Sequence, residues 1–256
     1  MRSRCSIMIL TIALLCGISV LLTSRPAQAL RLFKIGESRE IQMGKEIAAE
    51  LEKQYGAQED ARITKIGKQL AAVSDRPKLP YTFKILKMPD PNAFACPGGA
   101  IFITKSLLDK MKNDDELAAV LAHEVAHAAR RHSMKEYEKA MSAALLINVG
   151  MTATGANKTT ETVVGVGFQL IQNGRSRKDE NDADEYGVRY ADKAGFDPKA
   201  FISMFETLKS ISGKEPPKIL STHPPTKDRI ENVKKVMAKL DQEKAEKAAK
   251  AAAGQK

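Results

Sequence analysis

Residues 117–129 read Leu-Ala-Ala-Val-Leu-Ala-His-Glu-Val-Ala-His-Ala-Ala, thirteen positions in which His123, Glu124 and His127 are the only polar side chains. A helix of that composition has almost no solvated face, so the rest of the chain must wrap a core around it. Burying even one neutral polar group without a partner costs roughly 2 to 7 kcal/mol, so the fold has to satisfy all three. A metal ion would do so, because residues four apart stand one above the other on a helix and can aim two imidazoles at a single ion. Glu124, one step round, would reach a water at such an ion. His-Glu-x-x-His is the spacing in which zinc acidifies a water and polarises a carbonyl while the glutamate accepts the proton. Two histidines hydrogen-bonded inside an ordinary core are the plain alternative.

A catalytic zinc takes three protein ligands and keeps one position for water. The acidic run Asp179-Glu180-Asn181-Asp182-Ala183-Asp184-Glu185 is the densest source of a third. On a helix, Glu180, Asp184, Gly187, Ala191 and Ala194 share a stripe of small residues that can pack closely against another helix. Asp182 and Glu185 fall opposite, with Arg189, Asp192 and Lys193, where a solvated charge run is expected. The chain has only four histidines. His132 follows Arg130-Arg131 at the charged end of the first helix and is expected in solvent. His223 lies in Thr222-His223-Pro224-Pro225, where two prolines restrict the backbone. It is either an ordinary loop histidine or a donor to the oxyanion formed when water attacks a carbonyl.

Organisation along the rest of the chain is simple. Arg2 and Arg4 precede an apolar run over residues 7–22 that leads to Ala27-Gln28-Ala29, the pattern of an export signal cleaved to leave Leu30 first. An uncleaved anchor is the alternative, for which sixteen residues is short. Of the three cysteines, Cys5 and Cys16 leave with that segment, so the mature chain keeps Cys96 alone and has no internal disulfide. The net charge of +10 loses Arg2, Arg4 and Arg25 on cleavage and lies partly in a Lys/Ala/Glu tail, residues 239–256, read as a helical or disordered appendage. Peripheral attraction to an anionic membrane surface is compatible with this charge; no nucleic-acid motif appears, and no obligate partner is evident.

Residues 30–238 then form one catalytic domain. Apolar spacing predicts helices around Ile41 to Leu51 and Ile63 to Val73, then strands over residues 81–88 and 100–104 with a short extended piece at 92–95 and a turn at Pro97-Gly98-Gly99. The main helix is expected from Asp114-Asp115 to at least Arg131, and residues 140–173 as two helices about a loop. A helix over 179–194 should stop at Gly195, Asp197-Pro198 should cap the next, residues 221–225 should form a rigid loop, and Thr226 should cap a closing helix.

His123-Glu124-Val125-Ala126-His127, Glu180-Asn181-Asp182-Ala183-Asp184 and Ser221-Thr222-His223-Pro224 together resemble the three motifs of metallopeptidase family forty-eight. These gluzincins include the HtpX heat-shock proteases, the CAAX prenyl proteases and the periplasmic beta-barrel-assembly-enhancing protease. Asn92-Ala93-Phe94-Ala95-Cys96-Pro97-Gly98-Gly99 is similar to the family's segment at the edge of the cleft, and the likeness runs from about Glu40 to Val236. The resemblance implies one zinc per chain, with Glu180 as third ligand, Asp184 as its supporting carboxylate and His223 as transition-state donor. Side-chain reach agrees: Glu180 is the longer of the two carboxylates, and Asp184 is placed to accept from the free nitrogen of a ligating histidine.

The expectation is therefore a helix-rich α+β zincin-like domain with a small sheet, acting as a periplasmic or secreted zinc metalloendopeptidase with Glu124 as general base. An extended polypeptide would lie along Asn92, Ala93, Phe94 and Ala95 as an added strand, which suits misfolded or unassembled envelope proteins. Two rivals stand beside it: a zinc-stabilised chaperone or assembly factor that holds exposed strands without cutting them, and a hydrolase of non-peptide amides.

Overall fold

The computed structural model describes residues 34–149, 175–211 and 218–253. The expected export signal, the end of the segment at 140–173 and the last three residues lie outside them. The chain divides into two compact units, one of residues 36–137 with 157–256 and one of residues 1–35 with 138–156. In the second, the Ile35 amide donates to Glu138 Oε1 at 2.9 Å and the Ser142 hydroxyl donates to the Glu138 carbonyl at 2.7 Å.

The first unit opens with α1 (Glu37–Tyr55), β1 (Ala57–Glu59) and α2 (Ala61–Ala72). Asp60 starts α2 by accepting from the amides of Arg62 and Ile63, a cap that contributes about 1 kcal/mol. There follow β2 (Thr82–Leu86), β3 (Ala93–Ala95), a single helical turn at Pro97–Gly99, and β4 (Ala100–Thr104). The strands form one mixed sheet in the order β1-β2-β4-β3, with β2 and β4 parallel and the two outer pairs antiparallel. The strand at β1 was not foreseen, since three residues carry too little alternation to read.

Period-two alternation decides what each face of the sheet buries. Phe83, Ile85, Ile101, Ile103, Ala93 and Ala95 face the main core with α2 and the His-Glu-x-x-His helix, whereas Leu86, Phe94 and Phe102 pack with Ile47 and Leu51 of α1. The fold class is thus the expected helix-rich α+β arrangement, with the sheet held between helices. Gly98 turns the chain between β3 and β4 with φ +74°, a backbone state that side chains with a Cβ rarely adopt.

After the short α3 (Lys105–Leu108), the central helix α4 spans Asp114–Ala129. Asn113 caps it by accepting from the Glu116 amide, and every residue from Glu116 to Ala129 is buried. It ends two residues before the expected boundary. Arg131, at φ +60°, is left-handed, a state that costs an L-residue about 1 to 2 kcal/mol. A new helix, α5 (His132–Val149), starts from it. The turn is anchored remotely: Arg131 Nε donates to Glu40 Oε2 at 2.9 Å, and buried Glu40 also meets Arg76.

Helix α6 (Arg177–Ala194) begins two residues earlier than phase alone placed it, because Ser176 accepts from the Asp179 amide. It stops at left-handed Gly195 as expected. Gly187 lets α6 lie directly on α4: a Cβ there would stand 3.2 Å from the His123 amide nitrogen and 3.0 Å from the Phe201 ring. In α7 (Ala200–Ser210) the expected stripe Phe201, Met204, Phe205 and Leu208 is buried. Asp197 does not cap this helix but accepts from the Lys199 amide in the preceding turn. Of the loop expected over 221–225, the first two residues end a short helix, α8 (Lys218–Thr222), and His223 with the two prolines follows outside any helix. Closing helix α9 (Lys227–Ala253) continues through the Lys/Ala/Glu tail.

Candidate metal centre

Four side chains from two helices and a turn converge in the core. His123 and His127 come from α4, Glu180 from the first turn of α6, and His223 from the turn after α8. One donor atom of each lies within 4.8 Å of all the others, and all four residues are buried. His123 Nε2 is 3.0 Å from His127 Nε2 and 3.3 Å from His223 Nδ1. Glu180 adds Oε1 at 3.3 Å from His127 Nε2 and Oε2 at 3.4 Å from His123 Nε2. It also stands 3.0 Å from His223 Nδ1.

These separations carry a chemical message. Ring nitrogens 3.0 Å apart with lone pairs facing each other repel unless a cation or proton lies between them. A tetrahedral zinc with bonds of about 2.0 to 2.1 Å sets its donor atoms roughly 3.3 Å apart, the spacing of this cluster. The donor set, two or three imidazoles and one carboxylate, also suits zinc over calcium or magnesium, which prefer all-oxygen sites. The residues present fit the ion that the sequence implied.

Electrostatics report the same tension. Burial works to lower the His123 pKa, but the carboxylates of Asp184 and Glu180 override it and push it up to about 9. Burial, followed by the charge on His123, holds His127 well below the usual histidine range despite Glu180. Burial disfavours the Glu180 carboxylate, yet the charge of His223 and hydrogen bonds from the three histidines hold its pKa well below normal. In the absence of a cation, the imidazoles must share protons.

Glu124 is buried on the same turn, and its Oε2 has no hydrogen-bond partner. Its Oε1 is 3.8 Å from His223 Nε2. An unpartnered buried carboxylate oxygen beside a cation site is placed to take a proton from a water or substrate. Beside it lies a small cavity of about 20 Å³, walled by Val120, Met204, Phe205, Leu208 and Ile219.

Asp184 sits one turn along α6 from Glu180, fully buried, with Oδ1 3.0 Å from His123 Nδ1. The approach is close, although not along the N–H direction, since Nδ1 makes no aligned hydrogen bond. Two residues join the site that the sequence reading did not assign. Arg229, on α9, is buried and pairs with both Asp184 and Glu180. His132, expected in solvent, is buried because the left-handed turn at Arg131 folds it back: its Nδ1 is 2.8 Å from His127 Nδ1 and its Nε2 is 3.0 Å from Asp182 Oδ2. Asp182 is correspondingly drawn from the solvated face into a pair with Arg130 at 2.8 Å.

Asn92, Ala93, Phe94 and Ala95 lie at the sheet edge, and among the described residues no strand pairs with the outer side of β3. Their side chains are buried. Cys96 is buried among Phe94, Phe102 and α1, and burial pushes its thiol pKa up, so it is a poor nucleophile.

Comparison with known proteins agrees with this geometry. The family model of peptidase family M48 matches residues 57–237. The chain is 30% identical over 174 residues to the mitochondrial metalloendopeptidase OMA1 of Schizosaccharomyces pombe, covering 67% of this chain and 51% of that protein. It is 29% identical over 180 residues to the beta-barrel assembly-enhancing protease of Escherichia coli K12, covering 66% and 37%. It is 29% identical over 187 residues to the metalloprotease YcaL of the same organism, covering 70% and 73%. The chain therefore spans about half the length of the first relative and less of the second. Among the described residues no helix is long and apolar enough to cross a membrane.

Proposed function

Since the chain belongs to peptidase family M48, we propose that it is a zinc-dependent metalloendopeptidase in which His123, His127 and Glu180 hold the metal. The observation that carries the reading is the convergence of these three donors beside a buried Glu124 oxygen with no partner of its own. Bound there, zinc supplies Lewis acidity to a water and to a carbonyl. Glu124 accepts the proton of the attacking water and returns it to the leaving amine. His223 donates to the oxyanion, and Asp184 with Arg229 fixes the approach of His123 and Glu180. An extended polypeptide adds along β3, held by its backbone and so with little sequence preference.

Residues 1–29 are the export signal of this enzyme, 30–238 its catalytic domain and 239–256 a basic appendage. Its place is the periplasm or the medium, and its substrates are misfolded or unassembled envelope proteins. The Ala27-Gln28-Ala29 pattern supports export, and one relative is named for beta-barrel assembly. Another is named mitochondrial, so fractionation of the source cells with N-terminal sequencing is the test of place. A membrane-bound species retaining Met1 would refute the cleaved signal.

One observation favours a second reading. A structural zinc normally has four protein ligands, and four donors are present once His223 is counted. A metal-stabilised factor that binds strands without cutting them would need no base at Glu124. Casein digestion with purified protein separates the two: cleavage that a chelator abolishes and added zinc restores supports the peptidase, whereas zinc-loaded protein inert toward casein and unfolded envelope proteins supports the binding factor.

A further inference from the structure

We propose that His132 is a positioning residue for His127, passing a line of hydrogen bonds from the metal-facing imidazole to the Asp182–Arg130 pair. The proposal rests on the reading of His127 as a zinc ligand and extends it to residues outside the ligand set. The atoms allow one consistent assignment. His127 Nε2 faces the cluster, 3.0 Å from His123 Nε2, so its lone pair belongs there and its hydrogen on Nδ1. His132 Nδ1, 2.8 Å away, then has to accept. Its hydrogen therefore sits on Nε2 and is donated to Asp182 Oδ2 at 3.0 Å. Arg130 Nε, 2.8 Å from the same oxygen, keeps Asp182 an acceptor. Each atom in the line has a single role, which fixes both the tautomer and the ring orientation of His127.

The backbone is shaped for this contact. On an uninterrupted helix, a residue five after His127 would point about 140° away from it. Left-handed Arg131 breaks the helix and brings the rings together edge to face, with centroids 4.9 Å apart. Buried Glu40, itself paired with Arg76, holds Arg131 in that state. A residue serving only to fill this space could be apolar and would not need Asp182 or Arg130 behind it.

The test compares zinc affinity of the full chain, at one pH, by competition with a chromogenic chelator. His132→Leu and His132→Asn are nearly the same shape, but only asparagine offers an oxygen to the His127 Nδ1 hydrogen. His132→Leu should bind zinc about 10 to 100-fold more weakly, and His132→Asn should return to within about threefold of wild type. The visible spectrum of the cobalt-loaded protein should change in the leucine variant and stay near wild type in the asparagine one. Should leucine leave the chain unfolded by circular dichroism, phenylalanine takes its place with the same expected result. Wild-type affinity in His132→Leu, alongside loss of zinc in His127→Ala, would overturn the role of His132 and leave the metal centre standing. Equal weakness of the leucine and asparagine variants would overturn it too, because packing and not the acceptor would then matter. Zinc bound as tightly by His127→Ala as by wild type would overturn the metal-centre reading, and this proposal with it.

Discussion

Arg229 grips Asp184 through two parallel hydrogen bonds, Nε to Oδ2 and Nη2 to Oδ1, each 2.7 Å long. Its remaining Nη1 lies 2.7 Å from Glu180 Oε2, so one guanidinium holds both acidic side chains that the α6 stripe presents to the site. Such a fork both neutralises and aims a carboxylate, which a lysine at the same position could not do as well. Arg229→Met should therefore leave two carboxylates without their buried cation and destabilise the metal-free protein by about 3 to 5 kcal/mol. Urea denaturation of chelator-treated protein measures this, and a loss under about 1 kcal/mol would show that other groups already balance the pair.

Glu124→Gln tests the base separately from the metal. The amide keeps the shape but cannot accept the proton, so zinc content should stay at about one per chain while casein cleavage falls by about 100 to 10,000-fold or more. Undiminished cleavage would remove Glu124 from the mechanism.

His223→Ala distinguishes a donor from a ligand. A donor to the oxyanion predicts kcat reduced by roughly 100-fold or more, with metal content unchanged by elemental analysis. Its Nδ1 is close to both Glu180 and His123, so loss of zinc in this variant would instead make it a fourth ligand.

Glu180 and Asp184 should separate by severity. Glu180→Ala removes a donor atom and should abolish tight zinc binding, whereas Asp184→Asn removes a charge behind His123 and should weaken it by about 10 to 100-fold. Chelator competition reads both. If Asp184→Asn strips the metal and Glu180→Ala does not, their roles must be exchanged.

Proton release gives the pH dependence. His123, pushed up to about 9, carries a proton at neutral pH that zinc must displace, while His127, shifted the other way, has none to lose. Between about pH 7 and 9, binding should release one proton, and apparent zinc affinity should rise about tenfold per pH unit as the pH increases. Calorimetry in buffers of different ionisation enthalpy counts that proton. A binding heat independent of buffer would contradict the assignment.

The parts of this arrangement differ in how plainly the sequence declares them. Helix α4 was legible because its composition leaves no alternative to burial, and the phase of Glu180 and Asp184 was legible because charged residues rarely share a stripe with Gly187 and Ala191. Arg229 had a signal that went unused: with Val233, Val236 and Leu240 it forms the buried stripe of α9, and an arginine on an apolar stripe asks for a buried anion. His132 had none. No glycine or proline separates it from His127, and the turn that buries it depends on Glu40, 91 residues from Arg131 in sequence. Local patterns do not encode contacts of that range.

The four converging donors also tie together segments that are remote along the chain. His123 and His223 are 100 residues apart, and Glu180 and His223 are 43 apart, in a protein whose described cysteine is free. A cation seated among them would tie the fold together where a secreted protein uses a covalent cross-link, holding α4, α6 and the turn before α9 to one point and stabilising the folded chain by binding it alone. Metal supply would then govern how much of the protein survives in the cell as well as how much of it is active, and starvation for zinc would expose the enzyme to the kind of degradation it is proposed to carry out.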